Sequence, residues 1–392
     1  MSGIANVPEE LFEGEALLRW ERRLGLAKPR WPRAAQRTLI AILIGWVPLA
    51  ILAAVQLLIF SDETARSFFS DIAVHARFLV AVPALIFAEA ECIPRLIRIV
   101  NHFSETGLVA EPDNDRFLSA VFSTHRLFNS TISKVIRLVL IYLVVATLVL
   151  NFSADATLSW HRRGSMSAFH LSPVGWWHAL VSLPLLLIIF LGWLWRLVLW
   201  TRFLFLMSRL DLRLIPGHPD GAGGLKFVSS SLRGFRLVSF ACGAILAGSI
   251  ADQVLQGKQP LDFKYLAIGL IVFLVILFAG PLTIFLKTLR QTKWRGVFEY
   301  GALARTVGTQ FEAKWLRQKE SIDQASLEVQ DFSATTDLYS VVNNVYGMRD
   351  VPFTLRDLIG PIGVAALLPF IPLALLVMPL EVILRGVVKL LF

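Results

Sequence analysis

The residues of this chain with the most conspicuous chemistry are polar side chains set inside otherwise apolar stretches: Gln56, Arg77, Glu89, Glu91, Asn151, Arg196, Asp252, Glu381 and Arg385. A charge or amide facing hydrocarbon carries a desolvation penalty of several kcal/mol, so such groups turn inward, pair, or reach an interface. Turned inward together, they are candidates for an ion or solute pathway. Paired or snorkelling to the headgroups, they are structural. Glu381 and Arg385 stand four residues apart, on one helical face, where each can compensate the other.

A second group is the string His218, Pro219, Asp220, Gly221, Ala222, Gly223, Gly224. Proline followed by Asp-Gly favours a turn, and the later glycines permit positive φ or close approach of another group. Successive amides in such a turn can hold an anion or phosphate, so a compact structural turn and an anion contact are both open. A P-loop is excluded, because Lys226 stands at the wrong spacing and lacks the following Ser or Thr. The histidines form no HExxH, and Cys92 and Cys242 lie in or beside apolar segments, so no metal site or disulfide framework is expected. No catalytic set emerges and no cofactor is implied. A non-enzyme is favoured.

These residues need a membrane to position them. Of 392 residues, 55% are hydrophobic and only 17% charged, with a mean hydropathy of +0.63. A soluble domain needs a surface of roughly a quarter or more charged residues. The expected fold is all-α, a polytopic α-helical membrane protein with about seven transmembrane helices, near 38–60, 72–92, 135–152, 174–200, 237–254, 266–286 and 360–392. Trp176, Trp177, Trp193, Trp195 and Trp200 fall towards the ends of the fourth, as an aromatic belt requires. In the fifth, Gly243 with Ala247 and Ala244 with Gly248 have the small-xxx-small spacing that lets helix backbones approach closely, within the chain or in a homo-oligomer. Pro369, Pro372 and Pro379 predict bends in the last.

Charge asymmetry orients the spans. Arg19, Arg22, Arg23, Lys28, Arg30, Arg33 and Arg37 precede the first span, whereas Arg66 alone faces Asp62, Glu63 and Asp71 after it. The N-terminus is therefore expected in the cytoplasm. Parity then favours seven crossings and leaves six or eight open, since Arg385 and Lys389 oppose an external C-terminus and the last segment could be re-entrant. The net charge of +9 borders apolar segments and forms no single polar face, which makes anionic membrane lipid the expected partner and argues against nucleic acid.

Four regions follow: an amphipathic cytoplasmic segment (1–37), a bundle of about six spans (38–286), a cytoplasmic helical insertion (287–359) and the proline-rich terminal span (360–392). The 1–37 segment could lie on the membrane surface or on the protein itself. In the insertion, Phe298, Leu303, Val307, Phe311 and Trp315 recur at helical spacing after Trp294, and a second helix is expected over 333–346. The insertion is a possible site for a cytoplasmic protein partner.

The stretch Glu328 to Leu338, the Met348-Arg349-Asp350-Val351-Pro352-Phe353 run, Leu368 to Leu373 and the His218 to Leu225 string together resemble a group of uncharacterised bacterial multi-pass inner-membrane proteins. The resemblance implies a bacterial inner membrane and carries no activity. The leading expectation for function is passage or recognition of a small solute or ion. The alternative is a membrane scaffold or signalling-complex subunit that binds a partner through its cytoplasmic segment. A pore requires a continuous polar cavity; a scaffold requires a dry core and an exposed contact patch.

Overall fold

The computed structural model describes residues 11–12, 29–59, 65–151, 160, 171–317 and 331–377. They form an all-α membrane protein. Among them are six helices long and apolar enough to cross a bilayer: α1 (Arg30–Ile59), α2 (Ile72–Glu105), α4 (Thr131–Leu148), α5 (Pro173–Met207), α6 (Lys226–Leu255) and α7 (Pro260–Leu316). Between α2 and α4 lies α3 (Asn114–Asn129), and after α7 comes α8 (Asp331–Tyr346). The last element, α9 (355–377), is broken into Leu355–Leu358, Ile359–Val364, Ala365–Leu367 and Phe370–Val377. Its breaks coincide with Gly360, Pro361 and Pro369, since proline lacks the N–H of the helical ladder and its ring clashes with the carbonyl four residues back.

The short α9 runs alongside α6. Ala366 lies on Gly243, and further along Leu373 packs with Ile250, Ala251 and Phe263. It therefore descends the bundle as a seventh, interrupted crossing, in line with the count read from the sequence. Central position belongs to α6, with 67% of its apolar window buried, against 11% for the peripheral α4. The small residues of α6 explain this. A Cβ on Gly243 would collide with the Ala366 carbonyl, and one on Gly248 would stand 2.6 Å from the Ala76 Cβ of α2. The close approach permitted by the Gly/Ala spacing is thus made within the chain.

Four π-turns occur among the described residues, and two of them, Ala76–Ala81 in α2 and His178–Ser182 in α5, lie within spans. Each of these two is followed two residues later by a proline, Pro83 or Pro184, and the wider turn relieves the clash with the proline ring.

Several helices are longer than a bilayer needs. From Ile72 to Glu89, α2 rises roughly 26 Å, close to the ~30 Å hydrocarbon thickness, and it then continues from Glu91 to Glu105 for roughly another 21 Å. These extensions build a cap on the arginine-rich face. There the segments after α2 and α5 meet in a bridge between Val109 and Leu212, with the Arg213 amide donating to the Leu108 carbonyl at 2.8 Å. The second half of α7 forms a hairpin with α8, where a Cβ at Gly308 would stand 2.8 Å from the Tyr339 hydroxyl. The spans end later than expected: α2 runs past 92 to Glu105, and α7 continues without a loop from its span into the hairpin. Hydropathy locates where hydrocarbon ends; helical hydrogen bonding does not stop there.

Candidate functional site

Most of the pathway candidates sit at the two ends of the bundle. Towards the arginine-rich face, Glu89 of α2 is clamped between Arg37 of α1 and Arg196 of α5. Arg37 Nη1 lies 2.8 Å from one carboxylate oxygen and Arg196 Nη2 2.7 Å from the other. Arg196 also donates from Nε to the Phe12 carbonyl at 3.3 Å and lies over the rings of Trp193 and Phe128. Two residues on, across α2, Glu91 accepts from Arg236 of α6 at 2.9 Å and faces Arg95 at 3.5 Å. These pairs form a charged ring that ties four helices together, roughly 26 Å along α2 from its Ile72 end, close to one hydrocarbon thickness.

Asp252, at the far end of α6, caps α2. Its two oxygens accept the amides of Ile72 at 2.8 Å and Ala73 at 2.9 Å. Asp71 completes the cap, accepting from the Val74 amide and from Trp160 Nε1, each at 2.9 Å. Negative charge at a helix N-terminus complements its dipole. Arg77 lies within electrostatic reach of both carboxylates and reaches Ser249 Oγ at 3.4 Å. Gln56 is buried, and its Nε2 has no hydrogen-bond partner among the described residues. The side chain of Asn151, and both Glu381 and Arg385, lie outside the described residues.

The 218–225 string forms a tight loop in the cap. Gly221, Gly223 and Gly224 have φ of 66°, 64° and 97°, the region glycine adopts without strain. Asp220 organises the turn, accepting the amides of Ala222 at 2.8 Å, Gly224 at 3.1 Å and Lys226 at 3.1 Å, with His218 Nδ1 2.9 Å away. Burial pushes its carboxyl up, but the three amides and His218 outweigh that and hold it below the usual carboxylate range. The amides of the nest are therefore directed at a carboxylate of the chain itself. From the other side Arg349 fastens the loop, its Nη2 donating to the Asp220 carbonyl at 2.7 Å and its amide to the Gly221 carbonyl at 2.9 Å.

Beside this loop is a cleft of about 690 Å³. It is lined by the end of α2 (His102, Thr106), the α5–α6 loop (Arg213, Ile215, His218, Asp220), the start of α6 (Lys226, Phe227, Ser229, Arg233) and Asp357 of α9. Both acids are engaged locally: Asp220 by its own turn, and Asp357 by the Thr354 amide and hydroxyl at 2.9 and 2.8 Å. Among the described residues, the side chains of Arg213, Lys226 and Arg233 make no ion pair or hydrogen bond, and all three are exposed. Ser229 is 94% buried, and its hydroxyl also has no partner among them. The cleft thus gathers unpaired positive charge above carboxylates that are already satisfied.

Neither a family model, nor a curated protein, nor a solved structure matches this chain. The site is read from its own residues. Sequence spacing alone misses Arg213, Lys226, Arg233 and Arg349 as a site, because the elements that converge on the loop are separated by more than a hundred residues. One signal was present: Arg213 precedes the glycine turn and Lys226 and Arg233 follow it closely.

Proposed function

We propose that this protein is a membrane-anchored recognition protein, which holds a small solute in the cleft of its arginine-rich cap and does not conduct through its bundle. The observation that carries this reading is the contrast between two sets of charges. Glu89, Glu91, Arg196 and Asp252 are engaged by partners at the ends of the bundle, whereas Arg213, Lys226 and Arg233 face a cleft unpaired. Charge left unpaired at a concave surface is available to a ligand; charge locked in a partly buried pair is not. The positive-inside bias supports a cytoplasmic cap, and the resemblance supports a bacterial inner membrane with anionic lipid around the charged ring.

A scaffold role is the second reading. Trp294 and Phe298 stack on each other in the extension of α7 and are 52% and 71% exposed, the kind of apolar surface that partner proteins cover.

Ion flux separates recognition from passage. Purified protein reconstituted in vesicles is loaded and assayed for K⁺, Na⁺, H⁺ and Cl⁻ movement. Rates equal to those of protein-free vesicles are expected. Flux above that background, rising with protein content, overturns the reading.

A further inference from the structure

We infer that the cleft takes a water-soluble phosphate monoester, an inference that rests on the recognition reading above. Three arguments lead there. The first is charge and donor type. Arg213, Lys226 and Arg233 offer several unpaired cationic donors, and the Ser229 hydroxyl adds a neutral one in a buried position. A phosphate dianion, with three terminal oxygens and a charge of about −1.5 to −2, satisfies such a set; a single carboxylate leaves donors unused.

The second is size. At about 690 Å³ the cleft is far larger than inorganic phosphate needs, and it falls in the range of roughly 300–1,000 Å³ that accommodates whole organic ligands. Phe227 and Ile215 supply apolar wall for an organic body, with the Phe227 ring held against His102 at 4.3 Å between centroids.

The third is height. Arg236 and Glu91 pair in the charged ring. Arg233 is about one helical turn above that level, and His102, eleven residues beyond Glu91 on α2, is roughly 16 Å above it. The headgroup layer is only about 5–8 Å deep on each side, so Arg233 stands at its level while His102 and the α5–α6 loop side of the cleft reach beyond it into water. A lipid phosphate resting at the ring would lie below that side of the cleft.

The test uses the full chain in nanodiscs of zwitterionic lipid and follows binding by titration calorimetry. Probes are sn-glycerol 3-phosphate and adenosine 5′-monophosphate, with inorganic phosphate, glycerol, adenosine and glutamate for comparison, and nanodiscs containing phosphatidic acid as the lipid source. At least one monoester should bind about tenfold or more tightly than inorganic phosphate and than its own unphosphorylated form. Arg213→Gln, Lys226→Gln and Arg233→Gln should each weaken that binding about tenfold, and Lys226→Arg should restore most of it, with thermal midpoints unchanged because these side chains are exposed. Binding of neither monoester overturns the inference, as does binding equal to that of inorganic phosphate, binding unchanged in the Gln variants, or competition seen only from phosphatidic acid. Binding of glutamate or adenosine in their place would overturn the phosphate assignment and leave the recognition reading standing. Flux through the bundle would do the reverse.

Discussion

Arg196 of α5 holds Glu89 of α2 at 2.7 Å, and Glu89 in turn holds Arg37 of α1 through its other oxygen. With side chains only 10% to 23% exposed, this is a partly buried triad in which one carboxylate separates two guanidiniums. Glu89→Gln leaves the arginines facing each other across a neutral group. Removing one member of such a network is expected to destabilise the bundle by about 3 kcal/mol, read as a lowered denaturation midpoint in detergent. Adding Arg196→Met should recover part of the loss, since it removes one of the two guanidiniums that the neutral Gln leaves facing each other.

At Gly243 the backbone of α9 lies directly against α6. Gly243→Val should lower stability by about 1–3 kcal/mol or expel α9 from its groove, because the added carbons would meet the Ala366 backbone. A Cβ at Gly360 has nothing within 4 Å, so Gly360→Ala serves as the matched control and should leave the midpoint nearly unchanged. A cysteine pair at 246 and 370, where Leu246 and Phe370 pack on one cluster, should crosslink in the parent and lose efficiency in Gly243→Val.

Asp252 caps α2 from the far end of α6. Asp252→Ala strips an acceptor from the Ile72 and Ala73 amides and should cost about 1–2 kcal/mol, as losing a helix N-cap does. Hydrogen exchange should rise first over residues 72–76. Flux should remain at the protein-free level, which distinguishes a cap from a pathway residue.

Much of this architecture was legible in hydropathy. Each apolar run became a crossing, because hydrocarbon selects for apolar composition one segment at a time. What escaped was pairing across segments. Asp252 stood out only as a charge in an apolar run, and nothing within its neighbourhood in sequence reveals that it reaches a helix N-terminus 180 residues away. Glu89 and Arg196 were conspicuous separately and meaningful only together. The small-residue face of α6 announced a close contact without naming α9 or α2 as the partners. The cleft was the least legible, since its walls come from the ends of α2, α5, α6 and α9, and hydropathy treats all of those simply as loops.

The loop at 218–225 supplies a pH prediction. With its folded value held below the usual carboxylate range, Asp220 contributes its stabilisation in full above the ordinary Asp value of about 3.9, and that contribution is lost as pH falls through the lower folded value. Protease resistance of the 213–226 segment should therefore be flat from pH 7 to 5 and decline below about pH 4. Asp220→Asn, which leaves one carbonyl oxygen for three amides, should be cleaved readily across the whole range.

The cleft and the α7–α8 hairpin should lie together on one membrane face, with Lys258 on the other. Single cysteines at Ser104, Ser230 and Ser340 on the cap and at Lys258 on the other side, in a chain with Cys92→Ala and Cys242→Ala, can be labelled with a membrane-impermeant thiol reagent in vesicles of known orientation. The account predicts that 104, 230 and 340 label from one side and 258 only from the other. Labelling of 340 from the same side as 258 would contradict it.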